Sequence, residues 1–388
     1  MSSSWSNPRA LALLLLVGCG FTAHGGSQGS SDAPNPPVDS SGSDAPAGPP
    51  ADWWNASWGH RRLITIDTSK LNAGLAGYPL AGFPVLVKLT PQTIDYSAVK
   101  SDGSDLRFVL PGQTTPLSYD LDTFASGGTS LVWVRIPMLT ATAMQPVFVY
   151  HGNPAATATT SGADVFGDSN ISVHHLGADY SDATGHPHTG TPAGNPMAIS
   201  DSPLGGARHF NGTTDYVTLP NEGDYDFFVA PSRLTVSAWI RVTAFDLQFQ
   251  AIVTKGDTSW RLQRDDTSNN LEFGTTSGLN NDNEVGKVNV NNNQWHQAAV
   301  VCDGLKKLLY VDGAQDTTEN YNLELDQNNE LVAIGHNSQG TTGSGRFWHG
   351  DIDEVRISSI ARAPAWIGAE YVTATNAAFV TIGPDQRY

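Results

Sequence analysis

Short segments in which apolar and polar residues alternate recur along almost the whole chain after residue 52. The clearest segment covers residues 351–357, and it predicts a β-strand because successive side chains of a strand point to opposite faces. Strict alternation would place Ile352, Glu354 and Arg356 on one face and Asp351, Asp353, Val355 and Ile357 on the other. The adjacent carboxylates of Asp353 and Glu354 are therefore expected on opposite faces, where they could not act together on one substrate.

The other alternating segments fall into two groups. Five lie between residues 61 and 150, separated by turn clusters at 101–104 and 126–129, and they predict a small antiparallel β-sandwich over residues 52–166. About a dozen more follow up to residue 382, and they predict a two-sheet jelly roll over residues 167–388. The chain is thus predicted to be all-β.

Two local signals refine the second group. The pair Asp312 and Gly313 stands between alternating segments and predicts a β-hairpin, because glycine readily adopts the positive φ of a tight primed turn. Only residues 364–371 predict a short helix, with a proline in its first turn. The strands assigned to this second domain include the segment 379–382.

The first 51 residues have a different character. Arg9 precedes an apolar run at 10–17, which is shorter than the roughly 20 residues of a membrane span and fits a signal peptide over residues 1–18. Residues 19–51 are mostly Gly, Ser, Pro and Ala, so they cannot bury a core and predict a disordered linker.

The end of the apolar run, residues 16–19, resembles the lipobox of bacterial lipoproteins. The resemblance implies cleavage before Cys19 and attachment of lipid to its thiol, and more than one acyl chain would anchor the protein stably. Gly20 in place of an aspartate implies, by resemblance to the sorting of such lipoproteins in a Gram-negative host, the outer membrane or the cell surface. An ordinary secretory signal with an incidental cysteine is the alternative.

Charge and cysteine content narrow the range of partners. The formal net charge is −17, and the 21 Lys and Arg residues form no run, which argues against a nucleic-acid partner. The two cysteines make no disulfide framework, and Cys302, at the end of an apolar run, is expected to be buried.

Motifs in both domains resemble known families. The strings FPVLV at 83–87, DGSDLRF at 102–108 and YHGNP at 150–154 resemble a bacterial domain of unknown function that commonly precedes laminin-G-like modules. The strings LTVSAWI at 234–240, WHQAAVV at 295–301 and GDIDEVRI at 350–357 resemble the laminin-G-like, concanavalin A-like family. This fold carries receptors, lectins, adhesive modules and glycosidases, so the resemblance implies a jelly roll without choosing a function.

The laminin-G-like resemblance also implies a structural Ca²⁺. Its best single ligand would be Asp353, with Asn211 and Gly212 as neighbours, and main-chain carbonyls and water would complete the 6–8 oxygens that the ion prefers. The alternative is an aspartate that only caps a turn.

The sequence also bears on whether the protein catalyses a reaction or only binds a ligand. Glycoside hydrolysis needs two carboxylates on one face, and the E-x-D-x-x-E string of glycosidases on this fold is absent. We therefore expect a non-catalytic protein that recognises carbohydrate or another surface ligand, such as a surface protein. Trp260, Trp348 and Tyr321 are the candidate residues for stacking on sugar rings. A glycoside hydrolase on the same fold and a structural or assembly module of the envelope remain alternatives.

Overall fold

The computed structural model describes residues 49–71, 79–140, 144–278, 280–321, 324–339 and 345–388. Residues Gly48–Tyr388 form one compact unit. The proposed signal peptide, Cys19 and nearly all of the proposed linker lie outside the described residues, so these assignments stay predictions. Neither helix in the described part of the chain has the length and apolar character that crossing a bilayer requires.

Within the described residues this unit contains twenty-two strands and two α-helices, besides short 3-10 helices, and the prediction of an all-β fold is confirmed. The first six strands are β1 (His60–Asp67), β2 (Leu80–Leu89), β3 (Arg107–Val109), β4 (Tyr119–Thr123), β5 (Ser130–Leu139) and β6 (Met144–His151). A one-turn helix, α1 (Gly162–Phe166), follows them.

The remaining strands belong mostly to the jelly roll. They are β7 (Asn170–His174), β8 (Thr191–Ala193), β9 (Met197–Ser202), β10 (Gly205–Asn211), β11 (Tyr216–Leu219), β12 (Leu234–Val242), β13 (Ala251–Thr254), β14 (Trp260–Arg264), β15 (Leu271–Ser277), β16 (Asn280–Val285), β17 (Trp295–Cys302), β18 (Lys306–Val311), β19 (Ala314–Asn320), β20 (Val332–Ile334), β21 (His349–Ser358) and β22 (Val380–Arg387). The helix α2 (Pro364–Thr375) precedes β22 and carries proline in its first turn, as predicted, although it is longer than the predicted segment.

The N-terminal sandwich consists of a four-stranded sheet, β22-β1-β6-β3, and a three-stranded sheet, β2-β5-β4. Its last strand comes from the far end of the chain, since Ile64 pairs with Ile382 and Ile66 with Val380. The segment 379–382 was predicted to belong to the second domain, whereas the structure pairs it with the first. Local alternation identifies a strand but not its partner, because pairing across more than 300 residues has no local signature.

The jelly roll has two facing sheets. One contains eight strands, in the order β19-β18-β17-β12-β21-β10-β9 with β7 also paired to β21, and the other contains seven, in the order β16-β15-β14-β13-β20-β11-β8. A single large apolar core lies between them. The predicted hairpin is confirmed, since β18 and β19 pair and Asp312 and Gly313 have φ values of 53° and 74°. Cys302 is buried, also as predicted.

Strand β21 does not alternate strictly. Ser237 pairs with Arg356 but Trp239 pairs with Asp353, so β21 has an extra residue at this point, a β-bulge, and Glu354 has a positive φ of 48°. The core receives Ile352, Val355 and Ile357. Asp353, Glu354 and Arg356 consequently share the outer face, and the expectation that Asp353 and Glu354 point to opposite faces is wrong.

The two sandwiches pack against each other through their outer faces. Apolar residues of the three-stranded sheet contact those of the eight-stranded sheet and its neighbours, namely Leu86, Leu131, Trp133, Val165, Phe166, Val173, Leu204, Trp239 and Ala374. The charged outer face of β21 lies within this contact, so the sandwiches share an interface that is both apolar and ionic.

Candidate functional site

A cleft of about 640 Å³ opens between the two sandwiches. It is lined by β2 and β5 on one side and by the start of β7, the end of β21 and α2 on the other, and we call it the interdomain cleft. Its charged and aromatic lining residues are Arg135, Asp168, Arg356, Arg362, Trp366 and Glu370. The volume lies within the range of small-molecule sites, about 300–1,000 Å³.

Arg135 reaches the cleft across a glycine. Gly82 has a φ of +64°, and a Cβ at this position would lie 2.6 Å from the terminal nitrogen of Arg135. Only glycine therefore allows the guanidinium to lie directly against β2. The same guanidinium forms an ion pair with the carboxylate of Asp168 and donates to the Val165 carbonyl at 3.1 Å.

Arg362 lies at the other side of the cleft, over the indole of Trp366 with 4.1 Å from its guanidinium carbon to the ring centroid. It donates to the Asn170 side-chain oxygen at 3.2 Å and to the Asp168 carbonyl at 3.4 Å. Burial lowers the pKa of Arg362 to about 10, so the side chain is still charged at neutral pH. Its hydrogen-bond partners are neutral oxygens, which leaves the charge available to an anionic ligand.

The inner wall of the cleft is held by a fixed ion pair. Arg356 contacts Glu370 at 3.1 Å and Glu354 at 2.8 Å. The indole nitrogen of Trp366 donates to Glu370 at 2.8 Å, which orients the ring beneath Arg362. Among the described residues, three arginines and two carboxylates line the cleft, so it carries net positive charge in a chain whose net charge is −17.

A buried ionic network continues behind the cleft, and we call it the charged interface. His175 bridges the two sandwiches, with its ring nitrogens 2.7 Å from the Glu354 carboxylate and 3.2 Å from that of Asp120. Burial alone would lower the pKa of His175, but the charges of Glu354 and Asp122 and its hydrogen bonds raise it well above the ordinary value. Burial would likewise raise the pKa of Glu354, yet His175 and Arg356 lower it to about 2. In this network each charged side chain therefore stabilises the charged form of its neighbours.

The structure does not bring the predicted calcium ligands together. Asp353 is fully buried, its carboxylate accepts from the Glu354 amide at 2.7 Å and from the Ser202 hydroxyl, and burial raises its pKa well above the ordinary value. Asn211 pairs instead with His349, four residues earlier on β21 and therefore about 13 Å away. Neighbouring Gly212 also lies at that end, where its amide donates to the Trp348 carbonyl at 2.9 Å. The three residues therefore do not form one site in this structure, and the binding of a structural Ca²⁺ stays a prediction.

The predicted stacking residues belong to the jelly-roll core. Trp260 and Trp348 are 0% exposed and Tyr321 is 3% exposed, so none of them offers a ring face to a sugar. Their polar, turn-rich sequence neighbours suggested exposure, but each side chain points inward from its strand or loop. Their assignment as ligand-binding residues is wrong.

The residues that do line the cleft were missed by the sequence analysis. Arg135 lies on β5, whereas Arg362 and Trp366 lie close together at the start of α2, and each was unremarkable in its local pattern. The one available signal was the single predicted helix, which begins at Pro364, shortly after Arg362, and carries Trp366. Only the packing of the two sandwiches makes these side chains neighbours.

Two family models match the chain. Residues 211–368 match the family described as the concanavalin A-like lectin/glucanases superfamily, and residues 102–170 match a domain of unknown function, DUF2341. A comparison with curated proteins found no match.

Solved structures with a similar fold include toxin and enzyme domains. The binding domain of Paraclostridial Mosquitocidal Protein 1 is 14% identical with a TM-score of 0.46, over 54% of this chain and 53% of that one. The receptor binding domain of botulinum neurotoxin C/D mosaic serotype is 15% identical with a TM-score of 0.41, over 53% and 51%. Domain 4 of an extracellular arabinanase from Geobacillus stearothermophilus, in complex with arabinotriose, is 20% identical with a TM-score of 0.42, over 52% and 97%.

The chain spans about half the length of the two toxin domains. At these identities and TM-scores the similarities carry no functional argument. The family matches agree with the architecture described above, in which a jelly roll follows a smaller sandwich. The chain contains a laminin-G-like, concanavalin A-like domain and, before it, a DUF2341 region.

Proposed function

We propose that this protein is a lipid-anchored envelope protein that binds an acidic carbohydrate in the interdomain cleft without cleaving it. The observation that carries the proposal is the position of Arg362, which is partly buried, held by neutral oxygens and oriented over Trp366. Because the Arg362 guanidinium is oriented but is not hydrogen-bonded to a carboxylate of any described residue, it can bind the carboxylate of a ligand.

The chemistry of guanidinium supports an anionic ligand. Its planar set of donors matches a carboxylate in a two-point contact, and hydrogen bonds between charged groups are stronger than neutral ones. Partial exclusion of water in a cleft strengthens such a contact further. The hydroxyl-bearing Ser118 and Ser169 also line the cleft, and they suit the hydroxyl groups of a sugar. A uronic acid combines both kinds of group.

The carboxylates of the cleft support binding rather than hydrolysis. Asp168 is engaged by Arg135, and Glu370 accepts from both Arg356 and Trp366. A glycosidase needs one carboxyl group that donates a proton and another that attacks or activates water, both free to reach the scissile bond. Side chains that already accept hydrogen bonds from arginine are better suited to shaping the cleft.

The decisive experiment compares binding of an acidic and a neutral oligosaccharide by isothermal titration calorimetry. We expect an oligogalacturonate to bind and the uncharged galactose oligomer to bind at least tenfold more weakly. Arg362→Gln should reduce oligogalacturonate affinity at least tenfold, because it removes the cationic donor. Arg233→Gln, which removes an exposed arginine outside the cleft, is the matched control and should bind as the wild type does.

Three results would overturn the proposal. Equal affinity for acidic and neutral oligomers would show that the cleft charge does not select the ligand, and equal loss in both arginine variants would indicate a non-specific charge effect. Release of new reducing ends from either oligomer would support the glycosidase alternative instead.

The anchoring part of the proposal rests on Cys19 and the apolar run before it. We expect mass spectrometry of the mature protein to find an amino terminus at Cys19 that carries lipid, and membrane fractionation to place the protein in the outer membrane or at the cell surface. Cys19→Ser should release it from the membrane fraction. An uncleaved, unmodified amino terminus would contradict this part and leave the cleft unaffected.

A further inference from the structure

A cluster of two histidines and an aspartate lies at one end of the N-terminal sandwich, away from the interdomain cleft. His60 begins β1, His151 ends β6, and Asp385 lies on β22, so the three residues come from three adjacent strands. His60 pairs directly with His151, and Arg62, two residues along β1, pairs with Asp385. Paired residues in an antiparallel sheet project to the same face, which here is the face that carries Ile64 into the core.

The separations within this cluster match a metal site. The nitrogen of His60 lies 3.0 Å from one oxygen of Asp385, and the nitrogen of His151 lies 3.7 Å from the other. One donor atom from each of the three residues lies within 4.8 Å of the others. Ligands of a tetrahedral Zn²⁺ at bond lengths of about 2.0–2.2 Å are roughly 3.4 Å apart, so the cluster needs only small adjustments to enclose such an ion.

The buried side of the cluster lacks ordinary partners. His151 is fully buried, and neither of its ring nitrogens has a hydrogen bond to any residue that the structure describes. The Asp385 oxygen nearest to it is likewise buried without a hydrogen bond among the described residues, and its nearest charged neighbour is the Arg62 guanidinium at 3.9 Å. Leaving a buried polar atom without a partner is unfavourable, and a ring nitrogen and a carboxylate oxygen that both lack a hydrogen bond and face each other mark a position where an ion could bind both.

The protonation states also suit a metal. Burial, with a contribution from His60, lowers the pKa of His151 to about 4, so its ring is neutral at pH 7. Burial would raise the pKa of Asp385, but hydrogen bonds from Arg387 and His60 lower it, so the carboxylate is ionised. Arg387 competes for that carboxylate at 2.7 Å, yet this arginine is largely exposed and also approaches Asp95 at 3.5 Å, so it can move aside.

We propose that His60, His151 and Asp385 bind a divalent transition-metal ion of the Zn²⁺ class, which joins the last strand of the chain to the first sandwich. Two imidazoles and one carboxylate, with water as the fourth ligand, form a familiar coordination set for Zn²⁺, whereas Ca²⁺ prefers oxygen ligands alone. His60 and Asp385 are 325 residues apart in sequence. The ion would therefore join β22 to the rest of the N-terminal sandwich, although the whole jelly roll lies between them in the sequence.

The test uses the full chain after treatment with a chelator. We expect equilibrium dialysis to show one tightly bound Zn²⁺ per chain and Co²⁺ to give the intense visible absorption of a tetrahedral site. We expect excess Zn²⁺ to raise Tm by about 2–5 °C, because an ion that binds only the folded state stabilises it. Millimolar Ca²⁺ should not displace the bound ion.

Three variants locate the site. His151→Phe, which keeps the volume of a buried ring, should abolish binding and the Co²⁺ spectrum, and His60→Gln, at a partly exposed position, should weaken binding at least tenfold if the first variant does not fold. His186→Gln is the control, because His186 belongs to the separate group with Asp182 and His188. It should leave binding unchanged.

The proposal is wrong if the wild-type chain binds no Zn²⁺, or if binding survives both His151→Phe and His60→Gln. Loss of binding only in His186→Gln would assign the ion to the other histidine group and would also overturn the proposal. None of these outcomes depends on whether the interdomain cleft binds a carbohydrate.

Discussion

The jelly-roll core and the charged interface are both buried regions of the same molecule, but one consists of apolar side chains and the other of paired charges. The core between the two large sheets is made of aliphatic and aromatic side chains. The interface instead joins His175, Glu354, Arg356 and Glu370 by ion pairs, with the Arg356 guanidinium over the ring of Trp133. Apolar contacts are non-directional and stabilise in proportion to the area buried. Buried charges stabilise only in the arrangement that pairs each with its partner.

This difference assigns the two regions different tasks. The core provides most of the stability of the jelly roll and tolerates similar apolar side chains. We expect the charged interface to favour one orientation of the two sandwiches, because each buried charge is stabilised only by its own partner, and the interdomain cleft depends on that orientation. If so, damage to the core should lower stability without altering ligand selectivity, whereas damage near the interface should alter both.

The largest effect is expected from Trp348→Ala. Trp348 is fully buried, so its truncation leaves a large cavity and should lower the free energy of unfolding by about 3–5 kcal/mol. Urea denaturation of the full chain measures this loss, and calorimetry below the transition should find unchanged selectivity for the acidic oligomer. Phe228→Ala, at a position that is 44% exposed, is the control and should change stability by less than about 1 kcal/mol. Similar losses in both variants would argue against the core described here.

The charged interface is broken by His175→Gln. Removal of one partner leaves the Glu354 and Asp120 carboxylates without their bridging cation, and the expected loss is about 3 kcal/mol at pH 6. The folded state raises the pKa of His175, so its contribution is complete below the unfolded pKa of about 6.5 and is lost as pH rises through the folded value. The stability difference between wild type and variant should therefore shrink from pH 6 towards pH 10. A difference that grows with pH would contradict the assigned charge.

A smaller effect on stability, with a clear effect on binding, is expected from Gly82→Ala. The positive φ costs a non-glycine residue about 1–2 kcal/mol, and the new methyl group would push Arg135 away from β2. We expect oligogalacturonate affinity to fall several-fold in calorimetry. Gly112→Ala is a matched control, because Gly112 also has a positive φ but an added Cβ would meet no atom within 4 Å. Equal loss of affinity in the two variants would show that Arg135 is not involved.

The smallest change in stability is expected from Asp168→Asn. Asp168 has a side chain that is 77% exposed, so its ion pair with Arg135 should contribute less than about 1 kcal/mol. Its carboxylate, however, pairs with the Arg135 guanidinium and so competes with an anionic ligand for it. Neutralising it should strengthen oligogalacturonate binding several-fold, which is opposite in sign to the effect of Arg362→Gln. The affinity should also fall more steeply as ionic strength increases, because the cleft then carries more net positive charge. Weaker binding in this variant would place the ligand elsewhere.

The strands, the hairpin at Asp312–Gly313 and the helix that begins at Pro364 could be predicted from the sequence, because each depends on contacts between near neighbours. The candidate site could not. Trp260 and Trp348 were expected at the surface because their sequence neighbours are polar, yet inward orientation depends on the partner sheet rather than on those neighbours. Arg135, Arg362 and Trp366 carried no local sign of their common location.

The sequence by itself determined that this is an all-β protein with two sandwich-forming regions, since the period of apolar positions and the turn residues are written into each short segment. Only the tertiary structure decided that one extra residue at Glu354 turns it to the same face as Asp353, that the last strand pairs with β1, and that two arginines meet across a cleft. Each of these features depends on contacts between segments that are far apart in the sequence. Such contacts form only when the whole chain packs, so no local pattern can predict them.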